Sequence, residues 1–356
     1  MTAPYAIEKQ VAVAAVRRAC LLTNSVFNKL VKTETLTKDD KSPVTVGDYA
    51  AQAVINTILS KAFPEDPVVG EESSSDLRTP SSLALRSRIV ELANEALQED
   101  LAPGDNGQWG IGPGTAQSEA QLLDVIDRGS YGGGRNGRMW TLDPIDGTKG
   151  FLRGGQYAVC LALLVDSRVE LGVIGCPNLP VDPSNPDGAR GCLFVAVRGQ
   201  GAQQLTLLGS DPQSLTIPTI ASEDIPNSLS FLESVEAAHS SHGFNSRVSD
   251  ILGIKTSPVR MDSQAKYCCL ARGEGGAYLR MPTGVGYREK IWDHAPGSLL
   301  VTEAGGAISD SHGKTLDFGL GRDLGENYGI IAAGKSVHAN VLDAVKKAGE
   351  ESKAKV

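Results

Sequence analysis

From Tyr157 to Leu207 the chain carries three nearly continuous apolar runs, Tyr157 to Val165, Val169 to Cys176 and Cys192 to Val197. Asp166-Ser167 and Gly199-Gln200-Gly201 supply short turns between or after them, which predicts a meander of adjacent antiparallel strands. Such a sheet has to be covered by other layers, and helical patterns stand ready on its N-terminal side. Ala12, Ala15, Val16, Ala19, Leu22, Val26 and Leu30 recur at helical spacing and predict a long first helix over 5–32. A polar segment, Lys32 to Lys41, leads to a second helix over about 47–62 and a short strand over 68–71. Two more helical patterns, 83–98 and 117–128, flank the Gly- and Pro-rich stretch from Pro103 to Gly114. After a linker from Asp211 to Asn227, strands and helices alternate again. The expected fold is therefore α+β and layered, with helices packed on two sheets. An N-terminal lobe, 1–227, and a C-terminal lobe, 228–356, would leave the site in the cleft between them.

The chemistry concentrates in Trp140-Thr141-Leu142-Asp143-Pro144-Ile145-Asp146-Gly147-Thr148. Two carboxylates and a hydroxyl follow an apolar strand. Pro144 has no N–H to donate and is expected to end that strand, while Gly147 lets the backbone turn closely behind the second acid. Asp143, Asp146 and the Ile145 carbonyl can then face one point, as a hard divalent cation requires. On these residues alone an Asp-Pro turn closed by an Asx hydrogen bond is about as good a reading.

Three other segments repeat the theme. Asp66-Pro67 leads into Val68-Val69-Gly70-Glu71-Glu72-Ser73, a second apolar strand that ends in acids. Ser42-Pro43-Val44-Thr45-Val46-Gly47-Asp48 sets an acid at the start of a helix, and so does Lys290-Ile291-Trp292-Asp293-His294-Ala295-Pro296. Taken singly, Asp48 and Asp293 also suit helix caps, and for Asp293 capping preferences favour that reading by about three to one.

In this order, Gly-Glu-Glu, Asp-Pro-Ile-Asp-Gly-Thr and Trp-Asp before a small-residue helix start resemble the Mg²⁺-dependent, lithium-sensitive phosphatases of the inositol monophosphatase superfamily. Gly47-Asp48-Tyr49-Ala50-Ala51-Gln52, Val69-Gly70-Glu71-Glu72-Ser73-Ser74-Ser75, His239-Ser240-Ser241-His242, Asp262-Ser263-Gln264-Ala265-Lys266-Tyr267 and Glu289-Lys290-Ile291-Trp292-Asp293-His294 are most similar to its fungal 3′(2′),5′-bisphosphate nucleotidases. The likeness spans nearly the whole chain.

That resemblance implies an αβαβα sandwich and two or three Mg²⁺ ions held by Glu71, Asp143, the Ile145 carbonyl, Asp146 and Asp293. It implies in-line attack by a metal-activated water that Thr148, paired with Asp48, orients and deprotonates. Glu72 would orient a ligand or a water from behind. Substrate contacts would come from Thr148 and Asp293 together with His242, Ser263, Lys266 and Arg280. Ser263 and Lys266 would cradle a 5′-phosphate, Arg280 would meet adenine and ribose, and His242 would meet a nucleotide phosphate. The implied substrate is a small nucleotide bisphosphate, 3′-phosphoadenosine 5′-phosphate, with its 5′-phosphosulfate analogue as a second candidate. An inositol phosphate is the alternative, since the metal motif is shared. His239 and His242 alone do not make a zinc site, because no third ligand is placed beside them.

Composition sets limits. A formal charge of −8 argues against a general nucleic-acid binder but not against a small anion, because bound cations invert the local sign. Six cysteines without C-x-x-C spacing read as reduced thiols. With neither an apolar signal core nor a run of roughly 18 apolar residues, a cytoplasmic protein without membrane partners is expected. A monomer is expected from the resemblance and from the lack of an apolar stripe. Tyr131 to Asn136 is rich in glycine but lacks the Lys-Ser/Thr pair of a P-loop. The segment 75–138 is assigned no chemistry.

Overall fold

The computed structural model describes residues 3–29, 35–37, 43–99, 101, 107–236, 241–282 and 286–353. The chain runs through α1 (Ala6–Lys29), β1 (Thr35–Thr37), β2 (Pro43–Thr45), α2 (Val46–Ala62), β3 (Val68–Gly70), α3 (Leu83–Gln98) and α4 (Glu119–Asp127). It continues through β4 (Arg138–Asp146), α5 (Thr148–Arg153), β5 (Ala158–Val165), β6 (Arg168–Pro180), β7 (Arg190–Val197), β8 (Ala202–Thr206) and β9 (Gln213–Leu215). The C-terminal part holds α6 (Ile225–Ser228), β10 (Phe231–Glu233), α7 (His242–Leu252), β11 (Val259–Arg260), α8 (Ala265–Ala271) and β12 (Ala277–Arg280). Then come α9 (Ala295–Glu303), β13 (Gly306–Ser309), β14 (Ile330–Gly334) and α10 (His338–Lys353).

Among the described residues, β3 to β9 form a seven-stranded sheet in sequence order. The β3–β4 pair is parallel and the other pairs are antiparallel; β5 to β8 are the meander read from the sequence, which β4 extends on one side and β9, inside the expected linker, on the other. The second sheet has five strands in the order β11-β10-β12-β14-β13. Because side chains alternate across a strand, β5 divides its apolar run between two cores. Val159, Leu161 and Leu163 pack with Val16 and Ala19 of α1 and Val54 and Ile58 of α2. Ala158, Cys160, Ala162 and Leu164 point the other way, into a core with Tyr267 of α8 and Leu299 and Leu300 of α9. The same middle core takes Leu232, Tyr278, Ile330 and Ala332 from the second sheet. Phe231, Leu279 and Ile331 face outward, against Val248 of α7 and Val341 and Val345 of α10. The described residues thus stack as α1/α2, sheet, α8/α9, sheet and α7/α10, the αβαβα sandwich that the resemblance implied.

Two sequence expectations change. Pro144 does not end its strand: β4 runs on to Asp146, and the pairing with β5 jumps from Asp143↔Cys160 to Asp146↔Ala158. The missing N–H is tolerated because Pro144 sits in this register break rather than in a continuous ladder. Asp48 is not a helix cap, since α2 already begins at Val46 and Asp48 is buried in its first turn. The end of the predicted first helix beyond Lys29, Ser42, most of the polar segment around Lys32–Lys41, residues 102–106 and His239-Ser240 lie outside the described residues.

The middle layer leaves little room. An added Cβ at Gly297 would lie 2.2 Å from the ring of Tyr267, which is itself buried and edge-on to Tyr278 with centroids 4.8 Å apart. Gly297→Ala should therefore cost about 1–3 kcal/mol of stability through overpacking. Urea unfolding measures it, and an unchanged midpoint would show that the two helices have slack.

Candidate active site

The turn after β4 is built from backbone upward. Gly147 has φ of 87°, and a Cβ there would come within 2.9 Å of the Ser263 side chain. Glycine is thus required twice, for its dihedral and for close approach to the loop before α8. Ser263 itself has φ of 67° and accepts the Ala265 N–H at 3.1 Å. Next to it, the Gln264 N–H donates to Asp146 Oδ2. Gln264 also spans the cleft floor, donating from Nε2 to the Trp292 carbonyl at 2.7 Å and accepting the Gly297 N–H at 3.2 Å. One side chain therefore fixes both flanks of Asp293. Asp293 precedes α9, whose N-cap residue is His294, so its carboxylate does not cap the helix.

A cleft of about 600 Å³ results, lined by Glu71, Asp143, Ile145, Asp146, Thr148, Ser263, Lys266, Arg280 and Asp293 among others. One carboxylate oxygen each from Asp143, Asp146 and Asp293 gathers within 4.8 Å. Burial, followed by the charges of Glu71, Asp146 and Asp293, pushes the Asp143 carboxyl far above the usual carboxylate range. Burial and then Asp146 do the same to Asp293. Asp146 is raised to about 6, chiefly by burial and with Lys266 opposing. Asp143 Oδ1 is buried without a hydrogen-bond partner among the described residues. An all-oxygen set that repels itself and leaves a buried acceptor unsatisfied fits a hard divalent cation.

Thr148 Oγ1 donates to the Ile145 carbonyl at 3.2 Å. Its proton being engaged, the hydroxyl can accept one from a water, and the carbonyl keeps its second lone pair. Asp48 is buried in α2 and is not among the cleft-lining residues.

The opposite wall is cationic. Lys266, expected from the resemblance to cradle a 5′-phosphate with Ser263, is 2% exposed. Its Nζ donates to the Met261 and Ser263 carbonyls at 3.1 and 2.8 Å and lies 5.4 Å from the Tyr278 ring centroid. Burial lowers its pKa to about 8, so most molecules remain charged at neutral pH. Arg280 Nε donates to Glu289 Oε1 at 2.9 Å and Nη2 to the Tyr287 hydroxyl at 3.1 Å. Glu289 Oε2 lies 3.1 Å from His294 Nε2, and Tyr267 Oη lies 2.8 Å from His294 Nδ1. Burial favours neutral His294, so Nε2 donates to Glu289 and Nδ1 accepts from Tyr267. Against its own burial, Glu289 is held down to about 2, chiefly by Arg280.

His242 stands apart from these residues. Its ring bonds the Ser234 carbonyl at 3.0 Å and it is not among the cleft-lining residues, though Ser234 is. The Glu72 backbone is clamped by Gln52, which accepts its N–H at 3.1 Å and donates to its carbonyl at 2.7 Å. Residue-type reasoning missed Gln52, Gln264, Glu289 and Tyr287. The first three lie inside the quoted motifs, but polar residues of this kind announce a role only once their partners are placed.

Clustered carboxylates in a cleft facing fixed cations, within an αβαβα sandwich, define a class that comparison identifies. Residues 8–350 match the profile described as the inositol monophosphatase family, and the chain belongs to that family. It is 50% identical over 344 residues to the 3′(2′),5′-bisphosphate nucleotidase of Schizosaccharomyces pombe, covering 95% of this chain and 94% of that one. To the protein of the same name from Emericella nidulans it is 47% identical over 355 residues, covering 96% and 98%. Among solved structures, extragenic suppressor protein suhB from Bartonella henselae superposes with a TM-score of 0.60 at 20% identity, covering 95% of this chain and 98% of that chain, a likeness of fold.

Proposed function

We propose that this chain is a Mg²⁺-dependent, Li⁺-sensitive phosphatase that removes the 3′-phosphate of 3′-phosphoadenosine 5′-phosphate, giving AMP and phosphate. The observation that carries the reading is the convergence of Asp143, Asp146 and Asp293 opposite Lys266 and Arg280. The names of the relatives support the nucleotide as substrate. In this reading the lobe 1–227 supplies Glu71, the Asp143–Asp146 turn and Thr148, while 228–356 supplies Asp293 and the substrate contacts.

Glu71, Asp143, the Ile145 carbonyl, Asp146 and Asp293 would hold the ions. Bound Mg²⁺ supplies positive charge for the phosphate oxygens and makes a nearby water more acidic. Asp146 is fixed by the Gln264 N–H, so its carboxylate needs no reorganisation during turnover. Thr148, paired with Asp48 of α2, would orient the water and take its proton. Lys266 and Arg280 are held by their own hydrogen bonds before any ligand arrives. They offer the second phosphate and the nucleoside preset cationic contacts.

The test is phosphate release from 3′-phosphoadenosine 5′-phosphate, its 5′-phosphosulfate analogue and inositol 1-phosphate, each with Mg²⁺, with Mg²⁺ plus Li⁺, and with a chelator. The expected result is preference for the adenosine bisphosphate, abolished by chelation and reduced by Li⁺. Chelator-resistant turnover would reject the metal mechanism, and preference for inositol 1-phosphate would establish the alternative substrate class.

A further inference from the structure

Arg322 lies in none of the motifs used above, on the loop between β13 and β14. Its Nη1 donates to the Gly129 and Tyr131 carbonyls, both at 3.0 Å, and its Nη2 to the Gly70 carbonyl at 2.5 Å. The same guanidinium lies over the Trp292 ring, with its carbon 4.8 Å from the ring centroid. Its main-chain carbonyl accepts the Ile291 N–H at 3.2 Å. Gly70 immediately precedes Glu71, and Trp292 immediately precedes Asp293. The Gly129 carbonyl also accepts the Gly70 N–H at 2.7 Å, so the end of β3 is gripped through both its N–H and its C=O.

A fork that serves three carbonyls while its central carbon lies over an indole ring is within reach of arginine and not of lysine. These bonds tie together two segments that are distant in sequence and that each deliver one carboxylate to the cleft. We propose that Arg322 is a positioning residue for the metal site: it sets Glu71 against Asp293 and thereby the affinity for the divalent cation. The proposal rests on the metal-dependent reading given above.

The experiment is calorimetric titration of the full-length protein with Mg²⁺, alongside the Mg²⁺ dependence of phosphate release. Groups that orient ligands from behind are typically worth about 10- to 100-fold in metal affinity. Arg322→Met is expected to lose that much in Mg²⁺ affinity, with the same shift in the Mg²⁺ concentration for half-maximal rate and most of kcat kept at saturation. Arg322→Lys keeps the charge but not the fork, so it should recover only part of the affinity, and it answers the question if the methionine variant fails to fold. Arg128→Met is the control, because Arg128 likewise donates to two carbonyls, those of Pro64 and Asp66 at 3.1 Å, but away from the cleft. Its Mg²⁺ affinity should match the parent's. If both Arg322 variants bind Mg²⁺ as the parent does, the residue is only a structural brace and the proposal falls. If the parent itself binds no Mg²⁺, the metal reading fails and takes the proposal with it. A parent that binds Mg²⁺ but spares the nucleotide would overturn the substrate and leave the role of Arg322 supported.

Discussion

Asp146→Asn is expected to remove activity by about a thousandfold or more while leaving a folded protein, on the scale that losing one fixed electrostatic group has in other enzymes. Asparagine keeps an oxygen to accept the Gln264 N–H but loses the charge that a cation needs. Its effect on stability has the opposite sign. Burial raises the Asp146 pKa to about 6, so the metal-free parent loses stability as pH rises through that value and this carboxyl ionises. The variant carries no such penalty. Without metal it should melt above the parent at pH 7.5, with the gap closing as pH falls below about 6. Added Mg²⁺ should raise the parent's melting temperature far more than the variant's. Differential scanning fluorimetry across pH, with and without Mg²⁺, measures both effects. A variant that turns over normally, or that melts well below the parent without metal, would contradict the site described here.

Glu289→Ala should do the reverse, damaging the fold first. Arg280 and Glu289 have side chains only 12% and 3% exposed, and each is the other's charged partner. Removing the carboxylate strands a buried guanidinium and takes the acceptor from His294, a loss of about 3–5 kcal/mol for a broken buried pair. The contribution persists across working pH, because a carboxyl held at about 2 gives up its stabilisation only as pH falls through that value. Chemical denaturation gives the stability, and KM for the nucleotide should rise in whatever fraction stays folded, since Arg280 loses its anchor. Glu289→Gln keeps an acceptor for Arg280 and should lie between. An alanine variant as stable as the parent would show that Tyr287 alone satisfies the arginine.

The β meander, the placement of α2, α3 and α4 and the layering were legible because they depend on periodicity and turn residues, which act locally. The acids were legible as candidates for the same reason: Asp143 and Asp146 share one turn, and Glu71 ends the neighbouring strand. What the sequence hid was long-range. Pro144 inside β4 defied a local rule because the break in register that tolerates it exists only once β4 is paired with β5. The burial of Lys266 was not legible, because it comes from carbonyls and a tyrosine ring that only folding brings beside it. His242 was expected from the resemblance to meet a nucleotide phosphate, and its ring bonds the Ser234 carbonyl at 3.0 Å. The side chains of Gln264 and Arg322 bond backbone groups, and such partners leave no pattern in side-chain identity.

The helical layer of α8 and α9 is greasy on both sides, and every residue of α8 is buried. Each sheet uses that layer as its lid, so stripping either sheet away would bare the surface on which the other depends. Gln264 and Asp293 stand at the starts of α8 and α9, and the Gln264 N–H reaches from there to Asp146. The packing of that slab and the shape of the cleft beside it are consequently set together, by contributions from both sheets.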